Sequence, residues 1–177
     1  MAAEALQAGG VIAYPTEGVW GLGCNPFDYG AVERLMQIKQ RSINKGVLLI
    51  SGQQEHFSPL YEGFDAEELA RLHAGWRKFQ TWILPNRDFA PSWVTGDHSG
   101  IAVRVTKHPL VAALTKRFAG PIVSTSANLA GQAPIGDVAQ LKDCLGEQLD
   151  YVLPGQLGGQ QKASTIVDFV SGNIVRA

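Results

Sequence analysis

The chain has 177 residues, 45% hydrophobic and 18% charged, enough to bury a core without disulfides or metals. Its formal net charge of -1 excludes the strongly basic balance of a protein that grips nucleic acid nonspecifically, so any RNA contact needs a local patch. Apolar runs such as "VLLI" (47–50) fall far short of a membrane span, and "MAAEALQAGG" lacks the basic start of a secretory leader, so a cytoplasmic protein is expected.

In chain order, residues 2–8 read as a short helix closed by Gly9 and Gly10, and "VIAY" (11–14) as a strand. The glycine-bearing stretch that follows is longer than a hairpin turn needs, so it reads as a ligand-holding loop. Asp28 is a candidate N-cap for a helix to about residue 39, with Val32, Leu35 and Met36 on one face. "VLLIS" (47–51) is apolar on both faces and reads as an internal strand. Asp65 caps a second candidate helix striped by Leu69, Leu72 and Trp76. "TWILP" (81–85) and "IAVRV" (101–105) are strands, and a helix starts near Pro109, where the missing N–H costs nothing. "PIVST" (121–125) is a strand, Val138, Leu141 and Leu145 mark another helix, and "YVL", "STIVDF" and "NIVRA" close the chain as short strands. Strands alternate with helices without a break in composition, which predicts one α/β domain over 1–177.

Four clusters carry chemistry. Gly18, Gly21 and Gly23 match neither a dinucleotide fingerprint nor a P-loop, but Thr16 sits just past a strand end with both a donor and an acceptor. "IKQRSINKG" (38–46) places Lys39, Arg41 and Lys45 together; an extended chain would point Lys39 and Arg41 to one side as an anion clamp, whereas Lys39 could equally complement the helix dipole. In "STSAN", Ser124, Ser126 and Asn128 share one face of a strand end, although all three are also turn and capping residues. Arg104 lies inside a strand and needs either a carboxylate partner or an anionic ligand. Cys24 and Cys144 read as small hydrophobes, and His56, His73, His98 and His108, which lack ligand spacing, as surface residues. No serine triad, metal cage or carboxylate pair emerges, which leaves a pocket for a phosphate or carboxylate.

The stretches "AYPTEGVWGLGCNP", "KQRSINKG", "IAVRVTKHP", "STSANLAG" and "STIVD", in this order, resemble the YrdC-like family over nearly the whole chain. The resemblance implies an α/β sandwich on a twisted, mostly mixed sheet with a concave, positively charged cavity. It implies an enzyme that joins L-threonine, bicarbonate and ATP into L-threonylcarbamoyladenylate and releases pyrophosphate, with Mg2+ carried on the ATP. A separate transferase complex would then modify adenosine 37 of transfer RNAs reading codons that begin with A. By the same resemblance Thr16, Arg104 and Ser124 contact threonine, with Arg104 on its carboxylate. Lys39, Arg41, Lys45, Ser126, Asn128, Ser164 and Arg176 line the nucleotide site, Lys39 and Arg41 as electrostatic stabilisers. The chain departs from the family at Ser42, where proline is common, at Ile50, where longer relatives carry histidine, and at "WRKFQT" (76–81), where W-P-G-P-V-T is common. Two other readings are open: a noncatalytic module for duplex or transfer RNA, and a carbamoyl-phosphate domain of hydrogenase maturation, which normally sits in a much longer chain.

Overall fold

The computed structural model describes residues 1–160 and 163–176. Helix α1 (Ala2–Gln7) leads into a hairpin of β1 (Ile12–Pro15) and β2 (Trp20–Gly23), then α2 (Tyr29–Ile38) and β3 (Leu48–Ser51). Next come α3 (Ala66–Arg77), β4 (Gln80–Pro85), the one-turn α4 (Ser92–Thr95), β5 (Gly100–Val105) and α5 (Pro109–Phe118). The chain continues through β6 (Ile122–Ser126), α6 (Val138–Leu145), β7 (Tyr151–Val152), β8 (Thr165–Asp168) and β9 (Ile174–Arg176). The strand expected over 173–177 runs on to Ala177, which lies outside the described residues.

The helix starts follow the sequence closely. Asp28 accepts a hydrogen bond from the Ala31 amide at 3.1 Å, and Asp65 forms a reciprocal capping box with Glu68. Pro109 occupies the first turn of α5. The elements that escape the sequence reading are β2, α4 and the 3-10 turns over Ile43–Lys45, Gln54–Leu60 and Gly146–Gln148.

All strands join one mixed sheet in the order β7-β1-β2-β6-β3-β5-β4-β8-β9. The pairs β1–β7, β3–β5 and β4–β8 are parallel and the remainder antiparallel. Strand β6 joins the two halves: Ile122–Ser124 pair with β3, and Thr125 and Ser126 pair with β2. Alternation along the strands feeds two cores, so the sheet is covered on both faces. Val11, Ala13, Leu49 and Val123 pack under α2, α3, α4 and α6, while Ile12, Tyr14, Ile50 and Ile122 pack under α1 and α5.

The segment after β1 corrects the loop expectation. It is a β-hairpin in which Pro15 pairs with Trp20 across the connection Thr16–Val19. The glycines mark close packing, not flexibility. A Cβ on Gly23 would lie 2.4 Å from the Val123 carbonyl oxygen and 2.8 Å from the Tyr14 ring, so only glycine lets β2 pass there. The Tyr14 hydroxyl donates to that same carbonyl at 3.1 Å.

The expectations for three histidines and one cysteine are also corrected. His108 is buried at the start of α5, its Nε2 3.0 Å from the Gln156 carbonyl, and His56 and His73 are half-buried. Cys144 is exposed on α6, whose buried residues are Leu141 and Leu145, whereas Cys24 is the buried hydrophobe expected.

Candidate active site

Helices α1 and α5 cover only part of their face of the sheet, and the uncovered remainder is the floor of a cavity of about 980 Å3. The same alternation that puts Ile50 and Ile122 under α5 puts Leu48, Ser124 and Ser126 in the open. Gly21, Ala102 and Ile166 extend this floor across the sheet. The ligand space therefore lies on a sheet face as well as at strand ends.

At one wall the hairpin connection is tied down twice. The Thr16 hydroxyl donates to the Val19 carbonyl at 2.7 Å, so toward the cavity it can act only as an acceptor. From the other side, the Gly158 and Gln160 amides donate to the Thr16 and Glu17 carbonyls. Glu17 then reaches inward: its carboxylate accepts from Arg104 at 3.1 Å and from the Thr106 hydroxyl at 2.5 Å. Both partners of the ion pair are largely buried. The question raised by an arginine within β5 is thus answered by a carboxylate, yet Arg104 also lines the cavity and its Nε is buried with no partner among the described residues. Burial lowers its pKa, and the Glu17 charge offsets that only in part.

The cationic stretch departs from the extended chain that the sequence suggests. Helix α2 ends in a Schellman closure: Gln40 is left-handed at φ +51, its amide donates to Gln37, and the Arg41 amide donates to Met36. Lys39 and Arg41 are thereby sent to different tasks. Lys39 is 2% exposed, and its ammonium donates to the Ser126 carbonyl (2.5 Å), the Asn128 carbonyl (2.9 Å) and Asn128 Oδ1 (3.1 Å). It stands behind the wall, and burial, with the Arg41 charge, lowers its pKa to about 8. Arg41 lines the cavity, donates to the Lys45 and Gly46 carbonyls, and keeps its Nε buried without a partner among the described residues. Burial, then the Arg176 charge, lowers its pKa. Lys45 lines the cavity beside Gly46, held by an interlock in which a Cβ on Gly96 would stand 2.2 Å from the Asn44 carbonyl. Ser42, at φ -62, already holds the backbone a proline would impose.

On β6, Ser126 Oγ donates to Asn128 Oδ1 at 2.6 Å, and the Asn128 amide nitrogen donates to the Leu129 and Gln132 carbonyls. Asn128 is therefore saturated and does not line the cavity, while Ser124 and Ser126 do. Ser164 lines it with its hydroxyl 2.7 Å from that of Thr81, and Arg176 donates to the Ser164 carbonyl. Of the ten residues singled out from sequence, all but Lys39 and Asn128 line this one space. Sequence reasoning missed Glu17, which pairs with Arg104 and for which an arginine buried in β5 is the signal, and it missed the cavity-lining Phe79, Asp97, His98 and Asp168. Among the described residues no group of three or more His, Cys, Asp or Glu could hold a metal ion.

A bare sheet face walled by Arg41, Lys45, Arg104 and Arg176 is a concave site that offers cations to a small anionic ligand. The chain belongs to the Sua5/YciO/YrdC family, whose model, described as "Telomere recombination", matches residues 4–177. It is 47% identical over 175 residues to a protein of Coxiella burnetii named threonylcarbamoyl-AMP synthase, a match that takes in 99% of this chain and 94% of that one. Among solved structures it is similar to P. abyssi Sua5 complexed with L-threonine, at TM-score 0.86 and 26% identity over 94% of this chain. That match covers 49% of the Sua5 chain, so this chain spans about half its length. It is also similar to E. coli YciO, at TM-score 0.85 and 28% identity over 99% of this chain and 86% of that one.

Proposed function

We propose that this chain is a threonylcarbamoyl-AMP synthase, taking L-threonine, bicarbonate and ATP to L-threonylcarbamoyl-AMP, pyrophosphate and water. The observation that carries the reading is one cavity lined by Arg104, which is paired with Glu17, together with Arg41, Lys45 and Arg176. In this reading Arg104 takes the threonine carboxylate on its free edge, while Glu17 holds the other. Thr16, an acceptor toward the cavity, suits the substrate's ammonium or hydroxyl, and Ser124 lies on the same floor. Arg41, Lys45 and Arg176 face the nucleotide phosphates, with Ser126 and Ser164 beside them. Lys39 and Asn128 act from behind by fixing the Ser126 loop.

Bicarbonate takes up a proton and loses water to give carbon dioxide, and the threonine amine adds to that carbon dioxide and loses a proton to give a carbamate. A carbamate oxygen then attacks the α-phosphorus of ATP in line, and the bond to the β-phosphate oxygen breaks. Such a step asks for alignment and for fixed cations facing the developing phosphate charge, with no protein nucleophile. Magnesium enters on the ATP phosphates as part of that substrate. The product is a reactive mixed anhydride, so the proposal includes a transferase complex that receives it and delivers the group to adenosine 37 of transfer RNA, in the cytoplasm. Among the described residues no helix is long and apolar enough to cross a membrane.

The test is pyrophosphate release by the purified protein with threonine and bicarbonate omitted in turn, and mass detection of the adduct. Release that needs both, with the adduct present, supports the synthase. Protein that retains duplex or transfer RNA yet releases no pyrophosphate would overturn it in favour of a binding module.

A further inference from the structure

Helix α3 ends on a residue that its backbone does not favour. Lys78 closes the helix through a bond to Gly75, and the next residue, Phe79, is left-handed at φ +59. That position is the usual place for glycine, because a side chain there strains the backbone, and a bulky ring is the least expected occupant. Ending the helix therefore does not account for the phenylalanine. The location of its ring does. Phe79 lines the cavity, and the Arg104 guanidinium carbon stands 5.0 Å from its ring centroid.

Arg104 is then bounded on two sides. Glu17 accepts from one guanidinium nitrogen, the Phe79 ring lies beside the planar group, and Nε remains buried and unpaired among the described residues. A guanidinium held this way is restrained by Glu17 and the ring, and it meets an acceptor on the side that lines the cavity. We infer that Phe79 is a positioning residue for the carboxylate of the amino-acid substrate, holding and desolvating Arg104 at the cost of a strained helix end. The inference rests on the function proposed above and deepens it, since it names a residue that sets affinity for the amino acid and leaves the nucleotide untouched.

Two kinds of measurement separate this role from plain packing. The first is L-threonine binding by titration calorimetry, together with KM for threonine and for ATP in pyrophosphate release. Phe79→Gly and Phe79→Ala should each weaken threonine about tenfold, the range of a desolvated cation–ring contact, with KM for ATP unchanged. Phe79→Tyr keeps the ring and should restore threonine binding. The second is thermal melting, where the Gly variant should melt about 2–4 °C above the Ala variant despite glycine's greater freedom when unfolded, because it alone relieves the left-handed strain. Variants that bind threonine like the parent, or that lose threonine and ATP affinity together, overturn the inference. So does a Gly variant less stable than the Ala variant. A parent protein that binds no threonine removes the proposed function, and with it this inference, on a reading that involves no variant.

Discussion

Two walls of the same cavity handle their polar groups in opposite ways. Behind the β6 wall, Lys39, Ser126 and Asn128 satisfy one another: three oxygens take the ammonium, and every donor of the Asn128 amide has a carbonyl. Of the residues that line the space, Arg41 and Arg104 each keep an Nε buried and unpaired among the described residues. A saturated network fixes a shape, whereas an unsaturated one stores an attraction for something that arrives later. Lys39 and Arg41, only two residues apart, fall on different sides of that division.

Breaking the saturated wall should have the largest effect. Lys39→Ala removes the ammonium from the Ser126 and Asn128 carbonyls and leaves Asn128 Oδ1 with the Ser126 hydroxyl alone, and it should cost about 3 kcal/mol of stability in denaturant unfolding, with turnover lost as well. Arg41→Ala should do the reverse, cutting pyrophosphate release about 100-fold while costing only about 1 kcal/mol of stability. If the two variants lose stability equally, the contrast between the walls is wrong.

Protonation sharpens the same contrast. Lys39 titrates at about 8 when folded, against 10.5 for the free side chain, so between those values the unfolded chain binds more protons. Its contribution to stability is therefore level below pH 8 and rises from there toward 10.5. The stability of the parent protein relative to Lys39→Met should grow by on the order of 1 kcal/mol per pH unit within that window. A difference that stays level across it would show an ammonium whose folded value equals its free one. The smallest effect is expected at the turn that separates the two cations. Gln40→Gly places the residue that suits φ +51 and should raise stability by about 0.5–1 kcal/mol without moving Arg41, so turnover should hold.

Much of this architecture is legible in the chain because local chemistry decides it. Asp28, Asp65 and Pro109 mark helix starts through bonds made within a turn or two, and the apolar runs of β3, β5 and β6 stay buried whatever surrounds them. What escaped the reading depends on distant partners. Gly21 and Gly23 look like loop residues until Tyr14 and the backbone of β6 are placed against them. Alternation set Lys39 and Arg41 side by side because nothing in "IKQRS" announces a left-handed glutamine. His108 looked exposed because its burial comes from the segment near Gly158, some 50 residues further on. The site residues were found as a group because their types are chemically distinctive, yet the split between those that face the cavity and those that brace it is a tertiary fact.

The sharing of β6 between the two halves of the sheet also sets an order in time. On the ribosome the β1–β2 hairpin emerges early, but β2 meets its second neighbour only when residues 125 and 126 arrive, about 100 residues later. At ordinary rates of synthesis that is a wait of roughly 5–20 s, during which one edge of the hairpin stays open. The pairing that closes this edge also delivers Ser126 to the cavity floor, so the growing chain joins its early hairpin to the rest of the sheet and gains part of its binding surface in the same event, ahead of β7, β8 and β9.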